Sequence, residues 1–307
     1  MTATTVAEDG IVVVDKPPGI TSHQVVAQIR KLAGIRKVGH AGTLDPMATG
    51  ILVIGLNRAT RLLGYLQTAD KAYEATVRLG ASTSTDDAEG EVTASSDVSE
   101  VTAEDIENAV ARFRGVFPQV PSRVSAIKVE GRRAYERVRA GEEVALKARM
   151  VTVSRFEVTD VRPAASEPTG HGGIACLDCI DVDVSVECSS GTYVRALARD
   201  IGMELGVGGH LTMLRRTRVG SFGTECARTL DELAGDFHYT PIAEVAAATF
   251  ERYDATPAQA DAVRTGRPLS GLAAGEGLVA MFAPDGKFLA LYERHGPVHK
   301  PAAVFVG

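Results

Sequence analysis

The chain of 307 residues contains no run of about 18 consecutive apolar residues, so it offers no candidate membrane span. It also lacks the basic start and long apolar stretch of a secretory signal, because Glu8, Asp9, Asp15 and Lys16 come within its first residues. The expected location is the cytoplasm. Cysteine is scarce, with four in the chain, too few for a disulfide scaffold. Cys176, Cys179 and Cys188 cluster, but no His follows at finger-like spacing, and Cys188 falls on the apolar face of the alternating run Ile180, Val182, Val184, Val186. Buried or incidental thiols are expected there, and no metal. The chain lacks an H-E-x-x-H, a Walker loop, a G-x-G-x-x-G opening a helix after a strand, and a G-x-S-x-G. Zincin, P-loop, dinucleotide-binding and serine-hydrolase chemistry therefore find no support. Residues 81–110 carry no base at all against nine acids.

Hydrophobic residues make up 45% and charged residues 23%, the balance of an ordinary globular protein long enough for about two domains. The net charge of −6 argues at first against a nucleic-acid partner, but it is unevenly spread. Residues 1–80 hold nine Lys/Arg against six Asp/Glu, residues 111–160 eleven against six, and residues 231–307 six against ten. Within 121–150 there are eight bases and four acids, which would suit either a positive face or a solvated helix surface.

Hydrophobic periodicity predicts a short strand at Gly10–Asp15, a turn at Lys16–Gly19, and a helix capped by Thr21 or Ser22 and closed by Gly34. A glycine-rich loop, Gly39–Pro46, leads to a buried strand at Gly50–Leu56. Tyr73, Ala75, Val77 and Leu79 alternate with Glu74, Thr76 and Arg78. Residues 81–100 read as an exposed loop or hairpin, and Thr102 opens a helix with Ile106, Val110 and Phe113. Strands at Val151–Val161 and Ile180–Cys188 flank a loop at Pro163–Gly173, whose Pro, Gly and Ser content marks it as mobile. A helix carrying Val194, Leu197, Ala198, Ile201 and Leu205 ends at Gly206. After a helical connector, Pro284-Asp285-Gly286 gives a hairpin signal within a small β-rich tail.

The segment Gly39-His40-Ala41-Gly42-Thr43-Leu44-Asp45-Pro46-Met47-Ala48-Thr49-Gly50 sets one His and one Asp among small residues that let backbone approach a ligand. A carboxylate there can be a nucleophile, a base or a metal ligand. It can equally bond nearby amides in a tight turn. These residues alone leave those readings open.

Further segments stand in order along the chain beside the loop Gly39–Gly50: Asp15–Ser22 before it, then Lys71-Ala72-Tyr73-Glu74, Pro121–Lys128 with Gly131, Tyr135 and Gly141, Gly191-Thr192-Tyr193-Val194-Arg195, and His210 through Leu214-Arg215-Arg216. Together these segments resemble the motifs of the tRNA pseudouridine synthase B (TruB) family. They cover roughly residues 10–220. The resemblance implies that Asp45 is the nucleophile and that Arg195 supplies a cation beside it. It implies that Tyr73 stacks on the target base, that Tyr193 and Leu214 contact substrate, and that His40 packs into the space a flipped base leaves. Lys16, Lys128, Arg132 and Arg133 are the candidate RNA-contacting cations.

The implied fold is α+β: a mixed, largely antiparallel sheet with flanking helices, plus a small C-terminal mainly-β domain like a PUA module. The expected division is a catalytic domain at 1–230 with a basic, thumb-like insertion at about 121–150, a connector at 231–250, and the PUA-like domain at 251–307. The implied activity is conversion of uridine 55 in the T loop of tRNA to pseudouridine by base flipping. No cofactor and no metal are expected, since the reaction is an isomerisation. The expected protein is a monomer with tRNA as its partner, no obligatory protein partner and no membrane association. The alternatives are a guide-RNA-dependent pseudouridine synthase and a non-catalytic tRNA-folding chaperone.

Overall fold

Valine and isoleucine fill the run from Gly10, and in the computed structural model of the chain they form strand β1 (Gly10–Lys16), buried along nearly its whole length. The structure describes residues 8–122, 146–164 and 178–306, together with the backbone at 128–129 and 132–133. The chain divides into two compact units. The first runs through Pro46, resumes at Gly50–Gln67 and closes with the chain from Val219 onward, and the second holds Met47–Thr49 and Thr68–Arg218.

In the first unit, β1 pairs antiparallel with β3 (Thr49–Leu56), from Gly10 opposite Leu56 to Lys16 opposite Gly50. Strand β2 (Val38–His40) also pairs antiparallel with β3, which sets His40 opposite Ile54. Between β1 and β2 lies helix α1 (Ser22–Ala33). Thr21 is its cap, in a reciprocal capping box with Gln24, and Gly34 closes it in the left-handed conformation. Val25, Val26, Ile29 and Ala33 form its buried stripe.

The tail of the same unit forms a five-stranded sheet in the order β9 (Glu251–Asp254), β10 (Leu278–Phe282), β11 (Phe288–His295), β12 (Val298–Val304) and a short strand at Leu269–Ser270. Only its β9–β10 pair is parallel. The expected hairpin is present, with Gly286 at φ 81° and its N–H donating to the Ala283 carbonyl at 2.8 Å. One core joins Ile11, Val13, Ile51, Val53 and Leu62 to Val245, Phe282, Phe288 and Phe305. Arg58 and Arg61 extend that contact by donating to the carbonyls of Phe305 (2.9 Å) and Val304 (2.6 Å).

The second unit is built on strands β4 (Lys71–Leu79), β5 (Gly115–Gln119), β6 (Arg149–Pro163), β7 (Ile180–Cys188) and β8 (Gly209–Val219), in the spatial order β8-β4-β7-β6-β5. The β4–β7, β7–β6 and β6–β5 pairs are all antiparallel. Helices α2 (Ala103–Ala111) and α3 (Val194–Glu204) pack on this sheet and on each other. The alternation read from the sequence holds: Tyr73, Ala75, Val77 and Leu79 are buried, as are Val182, Val184 and Val186 across from them. The other parity carries ion pairs, notably a two-bond contact of Arg78 with Asp181 at 2.8 and 2.9 Å. Helix α3 and the start of β8 meet so closely that a Cβ on Gly202 would sit 2.2 Å from backbone of Gly208 and Gly209. The glycine is what permits the contact.

Of the two readings of residues 81–100, a loop or a hairpin, the structure has the hairpin: Ala81–Thr83 pairs antiparallel with Val92–Ser95, and Asp87 between them is 2% exposed. One expectation changes. Cys179 is not a thiol but is disulfide-bonded. Cys188 and Cys226 are free, and burial pushes the Cys188 thiol up to about 11. Most of the expected loop at Pro163–Gly173, from residue 165 on, and most of the basic insertion at 121–150 lie outside the described residues, although the backbone at Lys128–Val129 pairs antiparallel with Arg132–Arg133. No helix among the described residues is long and apolar enough to cross a membrane.

Because Phe282 is 1% exposed and belongs to the core shared with β1 and β3, Phe282→Ala is expected to cost about 3–5 kcal/mol. Urea unfolding, followed by far-ultraviolet circular dichroism, checks this.

Candidate active site

The Gly39–Gly50 loop has both ends fixed in the sheet of the first unit, by β2 and by β3. Ala41, Leu44 and Ala48 are buried at 0, 3 and 0% exposure, so the small and apolar residues anchor the loop. Gly42 takes φ 89°, a conformation that favours glycine. Asp45 is half-buried, lying between a buried Leu44 and a partly covered Pro46.

The turn between β1 and α1 grips both neighbours of Asp45. Ser22 is fully buried, and its Oγ accepts the Leu44 N–H at 2.9 Å and donates to the Leu44 carbonyl at 3.1 Å. The Pro46 carbonyl accepts the Gly19 N–H at 2.8 Å and the Lys16 ammonium at 3.1 Å. Lys16 also donates to the carbonyls of Pro17 and Ile20, both at 2.8 Å. This corrects the expectation for Lys16. Its side chain is 0% exposed, and an ammonium has three donors to satisfy once it leaves water. It is a loop anchor and not a cation reaching for phosphate.

His40 is partly exposed at the end of β2. Its ring stands edge-on to that of His23, centroid to centroid 5.4 Å at 81°, a neighbour that sequence reasoning missed. His23 lies in the first turn of α1, exposed, so the two imidazoles flank the same turn that holds the loop.

In the second unit, Tyr73 on β4 is 7% exposed and Leu214 on the adjacent strand β8 is also 7% exposed. Lys71, two residues before Tyr73, donates to the Ala69 carbonyl at 2.7 Å. Burial, and next the charge of Arg216, pushes its pKa down to about 8. Tyr193 is the residue before α3, and its own side chain does not cap the helix. Its backbone is held by Gln119, whose Oε1 accepts the Tyr193 N–H at 2.8 Å while Nε2 donates to the Tyr193 carbonyl at 3.1 Å.

Arg195 sits in the first turn of α3 and is 5% exposed. It pairs with Asp87 at 3.2 Å, with side chains 5 and 3% exposed, and donates to the Thr85 carbonyl at 2.8 Å. Asp87 is fixed in turn: its carboxylate accepts from Thr85 Oγ1 at 2.5 Å and from the Glu89 N–H at 3.1 Å, and its carbonyl accepts from Thr83 Oγ1 at 2.8 Å. Asp87 belongs to the acid-rich segment that charge counting set aside. Only its partner across more than a hundred residues distinguishes it from the exposed acids around it. Lys128, Arg132 and Arg133 have described backbone only, so their side chains fall outside the described residues.

Removing one member of a buried ion pair strands the other. Asp87→Ala is therefore expected to cost about 3–5 kcal/mol, and Asp87→Asn, which keeps the size and part of the hydrogen bonding, distinctly less. Chemical denaturation of the two variants side by side checks the order.

Three family models match in succession: "TruB family pseudouridylate synthase (N terminal domain)" over residues 30–194, "tRNA pseudouridylate synthase B C-terminal domain" over 195–245, and "tRNA Pseudouridine synthase II, C terminal" over 250–306. The chain is 53% identical over 305 residues to the tRNA pseudouridine synthase B of Streptomyces griseus, covering 99% of this chain and 100% of that protein. It is 56% identical over 289 residues to the protein of the same name from Cutibacterium acnes, covering 93% of each. Among solved structures it is similar to a chain in a Cbf5–Nop10–Gar1 complex, with a TM-score of 0.71 and 27% identity over 97% of this chain and 85% of that one.

Proposed function

From the premise that the chain belongs to the TruB family of pseudouridine synthases, we propose that Asp45 is its nucleophile and that Arg195, Tyr73, Tyr193, Leu214 and His40 serve the same reaction. The protein is a tRNA pseudouridine(55) synthase, an isomerase that converts uridine 55 of tRNA to pseudouridine. The bond from the ribose to N1 of uracil breaks, the ring rotates, and a bond from the ribose to C5 forms. N1 gains a proton and C5 loses one, so atoms and electrons balance without a redox cofactor, ATP or a metal.

The observation that carries the assignment is the setting of Asp45: a half-buried carboxylate whose two neighbours are tied down while it stays reachable. A carboxylate can act as a nucleophile without any cofactor. Once RNA covers it, desolvation opposes the charge and a nearby cation offsets that cost. Arg195 is given this task by its place in Gly191-Thr192-Tyr193-Val194-Arg195. Its bond to Asp87 keeps the guanidinium from rotating freely.

Flipping uridine out of a folded arm costs a few kcal/mol, and stacking the freed base on an aromatic returns about 1–3 kcal/mol. Tyr73 is assigned that stack and His40 the space the base vacates. Tyr193 and Leu214 are assigned to flank the base. Lys128, Arg132 and Arg133, in the basic insertion at 121–150, are assigned to phosphates of the T arm. The C-terminal segment 251–307 is read as a PUA-like domain, supported by its own sheet and by the family model matched at 250–306. The enzyme is proposed to work in the cytoplasm as a monomer, on tRNA directly and without a guide RNA. The last point is supported by 53% identity to tRNA pseudouridine synthase B along nearly the whole chain, against 27% to the chain of the Cbf5 complex.

Purified protein alone, given unmodified tRNA carrying tritium at C5 of uridine, is expected to release tritium stoichiometrically with pseudouridine 55. Asp45→Asn is expected to abolish that release while binding tRNA nearly as well, since an amide has the same shape but cannot act as this nucleophile. Turnover by the pure Asn variant contradicts the assignment, and dependence of the wild type on an added guide RNA favours the guide-dependent reading. Tyr73→Leu is expected to impair turnover more than affinity. Replacing Arg132 and Arg133 with Gln is expected to weaken tRNA binding and to reduce its log–log salt slope by roughly 0.7–0.9 per lost phosphate contact. Filter binding between 50 and 300 mM salt, on the order of the usual range for such titrations, measures it.

A further inference from the structure

We propose that Ser22 is a positioning residue for the nucleophile, an inference that rests on Asp45 holding that role. Ser22 is the first residue of α1 and is 0% exposed. Its hydroxyl makes two bonds to one residue, accepting from the N–H of Leu44 at 2.9 Å and donating to its carbonyl at 3.1 Å. Leu44 is the residue immediately before Asp45 in the chain. A strand neighbour would satisfy both groups of Leu44, but among the described residues no strand pairs with the loop at 41–48, which lies between β2 and β3. One side chain does the work of a strand.

The geometry is demanding. The group must both donate and accept, and it must be short enough to sit inside the turn at the start of α1. A serine hydroxyl meets both requirements. The consequence falls on Asp45. Its carbonyl-side neighbour, Pro46, is held independently by the Gly19 N–H at 2.8 Å and by Lys16 at 3.1 Å. With Ser22 in place, the Leu44–Asp45 peptide unit on one side of Asp45 and the Pro46 carbonyl on the other are both held, which restricts the backbone that carries the carboxylate. Without Ser22, only the Pro46 side is fixed, and the backbone at Asp45 can swing about it. Leu44 would also have a buried N–H and a buried carbonyl with one partner fewer each, which drives the loop to rearrange toward other partners. A displacement of about 1 Å in a reacting group can lower a rate on the order of 100-fold without affecting how the rest of the substrate binds. Ser22 is wholly buried and has no surface with which to touch RNA, so its effect on tRNA affinity is small.

The test is a single-turnover measurement at saturating tRNA, with tRNA affinity and thermal midpoint recorded on the same preparations. Ser22→Ala is expected to slow pseudouridine formation roughly 10- to 100-fold while the dissociation constant for tRNA changes less than about twofold. Ser22→Cys keeps the volume but bonds weakly, is expected to fall between wild type and Ala, and carries the test if Ser22→Ala does not fold. Ile29→Val, a methylene deletion in the same buried stripe of α1, is the stability control and is expected to lower the midpoint with no change in rate. A rate within about twofold of wild type in the folded Ser22 variants overturns the proposal. So does a rate loss in Ile29→Val that matches theirs at equal loss of midpoint. Asp45→Asn in the same assay separates the two claims: if it turns over, the nucleophile assignment fails, whatever Ser22 does.

Discussion

The constraint on which the site depends is the fastening of Leu44 and Pro46 to the turn between β1 and α1. A loop rich in glycine and small residues loses about 1–2 kcal/mol of backbone entropy per ordered residue. The Ser22, Gly19 and Lys16 bonds, each contributing about 0.5–1.5 kcal/mol net, are of the size needed to hold two residues still. The burial of Ala41, Leu44 and Ala48 does the rest. Lys16, a charged residue in an RNA-modifying enzyme, is sealed in the interior because the carbonyls of Pro17, Ile20 and Pro46 take its three donors.

The second unit follows the same logic with different chemistry. Arg195 stands on a helix that begins just after Tyr193, and Gln119 holds the Tyr193 backbone by both of its polar groups. Asp87 then fixes the guanidinium in a nearly dry environment. Such a pair brings little net stability, because the desolvation of both ions offsets their attraction. What it supplies is direction: a guanidinium whose rotations are restricted by Asp87 and by the Thr85 carbonyl. Gly202 lets α3 lie directly against the start of β8, so the helix bearing Arg195 and the strand bearing Leu214 cannot drift apart. Pre-organised groups of this kind cost no rearrangement at the moment of reaction.

Much of this was legible in the sequence. The alternation of Tyr73, Ala75, Val77 and Leu79 gave the buried face of β4 directly, because a strand's period is short and local. Thr21, Gly34 and Gly286 marked a helix start, a helix end and a hairpin for equally local reasons. The Asp45 loop and Arg195 were reached through motif resemblance. What stayed hidden depends on contacts between distant parts of the chain. Asp87 looks like any of the acids in 81–110 until Arg195 is brought to it, and Ser22 looks like a second choice of helix cap until Leu44 lies beside it. Lys16 was misassigned because charge suggests exposure, and nothing local says that three carbonyls converge on it. Cys179 was misassigned because a sparse C-x-x-C with no His at finger-like spacing reads as free thiols.

The most direct test is the structure of the Asp45→Asn variant bound to an unmodified T-arm stem-loop. The account predicts uridine 55 rotated out of the loop, its uracil stacked flat on Tyr73, and its ribose and base within reach of position 45, with reacting atoms about 3–3.5 Å apart. Leu44 and Pro46 should keep the bonds to Ser22, Gly19 and Lys16 seen without RNA. A complex in which uridine 55 remains stacked in the RNA, or is flipped toward a different carboxylate with position 45 facing away, would contradict it.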